Sequence, residues 1–243
     1  MADNEAALPL NGAPRHHGPV AEQFDDAEQQ HEAANLGMWI FLATEVMFFG
    51  GLFAGYTIFR NLYPADFAAG SHLLHVKFGA TNTVVLICSS LTMALAVRAA
   101  QTGKRQQLIF FLACTLVLGL AFLGIKLTKE WGPDYQEGLA PGINFSGAAG
   151  KLAELMQHGE LKSYPSLPHV ELFMFFYFAM TGVHALHMVV GAGILTVLLV
   201  GAWRGKFGPQ TYNPVEMSGL YWHFVDVIWI FLFPLLYLLG GRY

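Results

Sequence analysis

Charge is scarce in this sequence. Asp, Glu, Lys and Arg together make up 12% of its 243 residues, where a soluble domain carries about 25% to cover its surface. Basic residues are in the minority, 13 Lys plus Arg against 17 Asp plus Glu for a net charge of -4, which argues against a nucleic-acid binder. Cysteine is nearly absent. Cys88 and Cys114 each lie inside an apolar run, so a disulfide scaffold is excluded. The N-terminus lacks the basic start and apolar stretch of a secretory signal. No internal repeat is visible, which disfavours a transporter built from inverted repeats. What the chain has instead is apolar mass: 54% AVILMFWYC, 20 Phe and a mean hydropathy of +0.44. Those numbers predict an all-α, polytopic membrane bundle.

Five runs are long enough to cross a bilayer, at about 36–59, 78–97, 108–125, 171–200 and 220–240. Each is near or above the roughly 18 apolar residues a span needs. They are apolar on every face rather than alternating, so a β-barrel is excluded. Residues 1–34 differ. Asp3, Glu5, Glu22, Asp25, Asp26, Glu28 and Glu32 face only Arg15, which reads as a disordered acidic tail ahead of a five-helix domain at 35–243. Its His16–His17 pair lacks a third ligand. Arg98, Lys104, Arg105, Arg204 and Lys206 fall in the second and fourth loops. The positive-inside rule then places the N-terminus in the cytoplasm and the C-terminus outside. The third loop, about 126–169, holds Pro133, Pro141, Pro165 and Pro168 and reads as irregular. A short amphipathic helix is expected within it near 150–158, from Leu152, Leu155 and Met156.

Polar side chains at membrane depth need a reason, because a charged one costs about 2.5–3.5 kcal/mol to insert. Glu45 lies near the middle of the first span, with no charge partner on its own helix. It is expected to face the bundle, as part of a proton or lipid path or as an interhelical hydrogen-bonding group. His184 and His187 share a face of the fourth span, and His223 and Asp226 a face of the fifth. Three His and two carboxylates could in principle hold a metal, a di-iron centre or a haem. However, His223 and Asp226 are placed in the first turns of their span and the other three nearer mid-membrane, so the five need not converge. Interhelical hydrogen bonding is the commoner use of such groups. The step Gly51–Gly55 on the first span, and Gly182, Gly191 and Gly193 on the fourth, suit close helix contact. Trp39, Tyr63, Trp131, Trp203, Tyr221 and Trp222 fall near the expected span ends, where aromatic residues anchor at the interface. Met174, Met180 and Met188 read as gap-fillers.

Four stretches carry a resemblance. The helix Trp39–Ile40–Phe41–Leu42–Ala43–Thr44–Glu45–Val46–Met47–Phe48–Phe49 resembles the Glu-bearing helix of subunit III of the haem-copper cytochrome c oxidases. Asn82–Thr83 resembles the opening of that family's next helix. Thr181–Gly182–Val183–His184–Ala185–Leu186–His187 is similar to its T-G-x-H-x-x-H helix, and Tyr221–Trp222–His223–Phe224–Val225–Asp226–Val227–Ile228–Trp229 to its closing W-H-F-V-D-x-x-W helix. Order and spacing agree from about Leu36 to Gly240. The chain lacks a counterpart of the first two helices of the seven-helix mitochondrial form, so it resembles the five-helix bacterial form. Where the family often shows Q-x-x-E-Y, this chain has Lys126–Leu127–Thr128–Lys129–Glu130–Trp131, in which only Glu130 matches.

The resemblance implies an accessory, non-catalytic subunit in a bacterial plasma membrane, serving a proton-pumping oxygen reductase of the aerobic respiratory chain. By the same resemblance the haem and copper belong to partner subunits and this chain carries no cofactor, although it holds phospholipid. Subunit I would be its main contact, with subunit II and other respiratory-complex subunits nearby. It would support the stability of subunit I, oxygen and lipid access, and proton uptake. Asn82, His184, His187, Trp222, His223 and Asp226 are then expected to lock helices together, leaving Glu45 as the candidate for a proton or lipid path. A quinol oxidase or a nitric oxide reductase relative is the alternative within this class. A stand-alone membrane metalloenzyme is the alternative from another.

Overall fold

The computed structural model describes residues 24, 27–143, 145–159, 161 and 164–239. Eight α-helices and two π-helical stretches make up these residues. Five helical units are long and apolar enough to span a membrane, and there is no strand among the described residues. The chain is a multi-pass membrane protein.

The first span is α1 (Ala27–Leu62). It begins eight residues before the expected end of the acidic tail, because an apolar run can carry a polar helical turn ahead of it at little cost. Residues 27–34 are therefore helical rather than disordered, while the His16–His17 pair and most of the tail lie outside the described residues. The second span is α3 (Val76–Gln101), and the fourth is α7 (Leu167–Trp203). At 36 and 37 residues, α1 and α7 run about 55 Å each at 1.5 Å per residue, well beyond a hydrocarbon core of about 30 Å.

The third span outruns its apolar segment. Helix α4 (Arg105–Ile125) passes into a π-helical stretch (Lys126–Trp131) and then α5 (Gly132–Gln136). Residues 126–136 are thus part of a span rather than of an irregular loop. Proline placement accounts for the π geometry. Pro133 lacks an N–H and its ring crowds the carbonyl four residues back, and a single π-turn absorbs that defect. The fifth span also has a π-helical stretch, there beginning at a proline rather than preceding one. Helix α8 (Asn213–Phe233) becomes π-helical at Pro234–Leu238, where the Leu239 amide bonds the Pro234 carbonyl at 3.1 Å.

Both basic loops close with the same motif. After α3, Gly103 (φ 71°) donates to Ala100 at 3.1 Å and Lys104 to Ala99 at 2.9 Å. After α7, Gly205 (φ 74°) and Lys206 repeat these bonds to Ala202 and Gly201. A left-handed residue with paired backward bonds is a Schellman ending, and glycine takes that φ without a Cβ clash. Arg105 ties the two loops together, its guanidinium donating to the Ala202 and Trp203 carbonyls at the end of α7.

At the opposite end the sequence holds more structure than its composition suggests. Helix α2 (Pro64–His72) packs on α7, burying Phe67 and Ala69, and Asp66 accepts from His169 Nδ1 at 2.6 Å and the Ser166 amide at 2.9 Å. The expected amphipathic helix is α6 (Ala148–Gln157), with Leu152 fully buried. Helices α3, α4, α7 and α8 form the core, and α1 lies on its flank against α7 and α8. Only 11% of the most apolar window of α1 is buried, against 50% for the fifth span. Leu36, Trp39, Met47 and Phe48 of α1 point outward.

Candidate functional site: polar groups at membrane depth

Four separate polar places occupy the interior. The first joins α1, α7 and α8 near their midpoints. Glu45 Oε2 lies 3.4 Å from His187 Nε2, and the other ring nitrogen of that histidine meets the Tyr221 hydroxyl at 3.2 Å. Tyr221 also donates to the His187 carbonyl at 3.0 Å, and Phe49 covers the imidazole. Glu45 thus faces the bundle, and its partner is on another helix.

His184 points elsewhere. It is buried edge-on to Phe122 and against Trp229, and neither ring nitrogen has a hydrogen-bond partner. The two histidines diverge because three residues advance a helix by about 300°, so neighbouring faces meet different partners. Asn82 is likewise fully buried, with neither amide atom paired.

Trp222 binds the four core helices at one point. From α8 its indole Nε1 donates to Ser89 Oγ of α3 at 3.0 Å. Its ring fits where Gly119 of α4 and Gly191 of α7 lack a side chain; a Cβ there would come within 2.7 and 2.9 Å of it. Trp222 and Tyr221 are therefore buried rather than interfacial. The expectation placed the start of the span at 220, whereas α8 begins at Asn213. His223 and Asp226 move inward for the same reason. Asp226 lies 13 residues along α8, about 20 Å from its start and near the middle of the span. Of these glycines, Gly191 makes the close contact just described, Gly55 meets Phe176 and Gly182 faces Trp131, while Gly51 and Gly193 face open space. Met174, Met180 and Met188 are fully buried.

A cluster that hydropathy concealed joins the two π-helical stretches. Lys126, Glu130 and Asp134 are 1–2% exposed. Lys126 Nζ donates to Glu130 Oε2 at 2.7 Å, to the Tyr237 hydroxyl at 2.7 Å and to the Tyr177 hydroxyl at 3.1 Å. Its ammonium also lies over the rings of Tyr177, Trp229 and Tyr237. Both hydroxyls bond Glu130 Oε2, and Tyr177 reaches Asp134 Oδ2 at 3.4 Å. All three donors of the ammonium are used. The sequence signal was the spacing 126, 130, 134, which continues one helical face past the end of the apolar run.

The last polar place lies between α3 and α8. His223 Nδ1 and Ser90 Oγ are 2.7 Å apart. Beside them is Asp226, 2% exposed, with neither carboxyl oxygen hydrogen-bonded.

These positions coincide with a known pattern. Residues 169–241 match the family model for cytochrome c oxidase subunit III. The chain is similar to cytochrome c oxidase subunit 3 of Corynebacterium diphtheriae, 31% identical over 84% of this chain and 86% of that one. It belongs to the cytochrome c oxidase subunit III family. It is also similar to quinol oxidase subunit 3 of Bacillus subtilis, 29% identical over 84% of this chain and 86% of that one, and to cytochrome bo(3) ubiquinol oxidase subunit 3 of Pseudomonas aeruginosa, 25% identical over 93% and 96%. The family-model match spans the helices that carry His184, His187, Trp222, His223 and Asp226. The Glu45–His187 pair and the Lys126 cluster bring in helices from before it.

Proposed function

We propose that this chain is the accessory third subunit of a proton-pumping haem-copper oxygen reductase of the cytochrome c oxidase type. It carries no cofactor of its own and is not a catalyst by itself. The carrying observation is membership of the subunit III family across most of the chain. The dispersal of the polar groups supports the same reading. Among the described residues, no three His, Cys, Asp or Glu side chains come together as a metal-ligand group. His187 is engaged with Glu45 and Tyr221, and His223 with Ser90. These contacts join helices, which is work suited to a subunit that stabilises its neighbours.

In this reading the membrane is the bacterial plasma membrane. The Arg105 end of the bundle is cytoplasmic, as is the N-terminus, and α2, α6 and the C-terminus lie outside. Subunit I is the main contact, with subunit II nearby and phospholipid at the exposed faces of α1. Glu45 and His187 form a polar step within the apolar wall, placed to assist oxygen, lipid or proton access. The relatives named as quinol oxidase subunits favour a second reading, in which the electrons come from a quinol.

Affinity purification of the tagged chain from its native membrane in mild detergent tests the proposal. Oxidase subunits and their haem spectrum should co-purify, and removing those subunits should leave the chain without iron or copper. Oxidation of reduced cytochrome c against that of a quinol by the complex separates the two readings. A chain that purifies alone would overturn both.

A further inference from the structure

We propose that the groove between α3 and α8 is the seat of a transmembrane helix from another oxidase subunit, one that presents an N–H or O–H donor to Asp226 at mid-membrane. The inference rests on the reading that this chain works within an oxidase complex, and adds the face it uses and the chemistry of what it meets. The groove has a volume of about 300 Å³. Ile87 and Leu91 of α3 and Val227 and Ile230 of α8 form its walls, and all four are exposed. Ser90, His223 and Asp226 form its polar base.

The chemistry of that base selects the occupant. Ser90 lies against both His223 and the Asp226 carboxyl, but neither Asp226 oxygen has a hydrogen bond of full geometry, and one serine hydroxyl cannot serve both carboxyl oxygens. A buried acceptor left unpaired costs about 1–3 kcal/mol, more if it is charged. The groove opens sideways at the depth of the bilayer centre, where hydrocarbon supplies neither water nor donors. An acyl chain would fill the volume and leave the carboxyl unpaired. A second copy of this chain, related by a two-fold axis, would bring the same patch against itself, and two carboxyls pair only when one is protonated, whereas a donor on a partner helix serves Asp226 in either state. A helix carrying a donor satisfies Asp226 and covers the apolar walls together. The volume is roughly that of ten waters, room for a few side chains projecting from a facing helix whose backbone stays outside.

Asn82 and His184 are also buried without hydrogen-bond partners, but neither lines this groove, so a helix seated there would meet Asp226 and not them. Glu45 has His187, and the Lys126 ammonium has three acceptors. Among the described residues, Asp226 is the buried carboxylate with neither oxygen bonded.

A photo-crosslinking side chain placed at Leu91 or Ile230, in the complex within native membranes, tests the proposal. Positions Met47 and Val197, exposed on other faces, serve as controls. Adducts to another oxidase subunit should form from Leu91 and Ile230 and be weak or absent from the controls. Asp226→Leu should reduce retention of the chain in the detergent-solubilised complex about tenfold, as expected for losing one hydrogen bond to a carboxyl. Should that variant fail to fold, Leu91→Trp fills the groove from an exposed position, and should release the chain while its helix content is unchanged. The inference is overturned if Leu91 and Ile230 crosslink only to lipid or to a second copy while oxidase subunits still co-purify. It is equally overturned if Leu91→Trp leaves retention unchanged. Failure of any oxidase subunit to co-purify with the wild-type chain would instead strike the proposed function itself.

Discussion

The Lys126 cluster and the Asp226 groove are both polar and both buried, yet they are built in opposite ways. Around Lys126 every donor of the ammonium is matched, by Glu130, Tyr177 and Tyr237, and three aromatic rings surround it. Two π-helical stretches, each beside a proline, bring these groups into register. Around Asp226 the helices are regular, and the carboxyl has Ser90 beside it but no hydrogen bond of full geometry. The first cluster satisfies its ammonium internally, with Glu130 Oε1 alone left unpaired, and holds the ends of the third and fifth spans together. The second is open toward the membrane and incomplete without a neighbour. Burial alone therefore does not separate a structural polar group from an interacting one; its hydrogen bonds and its position on an open groove have to be read together.

The comparison is broken most sharply at Lys126. Lys126→Ala strands Glu130 in the interior and should destabilise the bundle by about 3–5 kcal/mol, the usual cost of removing one partner of a buried pair. Thermal unfolding of the purified chain in detergent measures it. Replacing both partners, Lys126→Met with Glu130→Leu, should recover most of the loss, because no charge is then left alone.

Trp222→Phe comes next. It removes the donor to Ser89 and part of a ring that fills the gap between Gly119 and Gly191. A loss of about 1–2 kcal/mol is expected in the same unfolding measurement, combining a lost hydrogen bond with a small cavity; Ser89 keeps its bond to the Thr115 carbonyl.

Glu45→Gln should be milder. Gln can still hydrogen-bond His187, and a membrane hydrogen bond of this kind averages about 0.6 kcal/mol, so assembly should be near normal. Oxygen consumption by the complex across a range of pH then reports whether ionisation of Glu45 matters. Slower turnover or an altered pH profile, with haem spectra unchanged, would assign it to a proton path.

The smallest effect is expected at Asp226, when the chain is studied by itself. Asp226→Leu removes an unpaired carboxyl and should leave the melting temperature of the isolated chain unchanged or slightly raised. A loss as large as that of Lys126→Ala would show that Asp226 has an internal partner, and the contrast between the two regions would disappear.

Much of the architecture was legible in the sequence. Apolar runs of about 20 residues have few alternatives to a transmembrane helix, because backbone N–H and C=O groups must be paired in hydrocarbon. All five spans were accordingly found, as was α6 from the spacing of Leu152, Leu155 and Met156. Span ends were less legible. Hydropathy marks where apolar residues stop, whereas a helix continues as long as its hydrogen bonds do. Residues 213–219 and 126–136 were missed for that reason, and with them the true depth of Trp222 and Asp226 and the whole Lys126 cluster. Helix α2 was missed as well, since it is short, begins at Pro64 and gains its place from Asp66 meeting His169 about a hundred residues later.

The sequence alone determined the helical class, the number of spans and, through strings such as Thr181–His187 and Tyr221–Trp229, the family. Those properties follow from local composition and order, which a linear chain carries in full. Which helix each polar group meets was decided only in three dimensions. Glu45 finds His187, Trp222 finds Ser89, Lys126 finds Tyr237, and Asp226 is left with Ser90 beside it and an open groove in front. Such pairings depend on helix rotation and depth, and a π-turn or a few extra residues at a helix end resets both. Periodicity says which side chains share a face, but only packing says what that face looks upon.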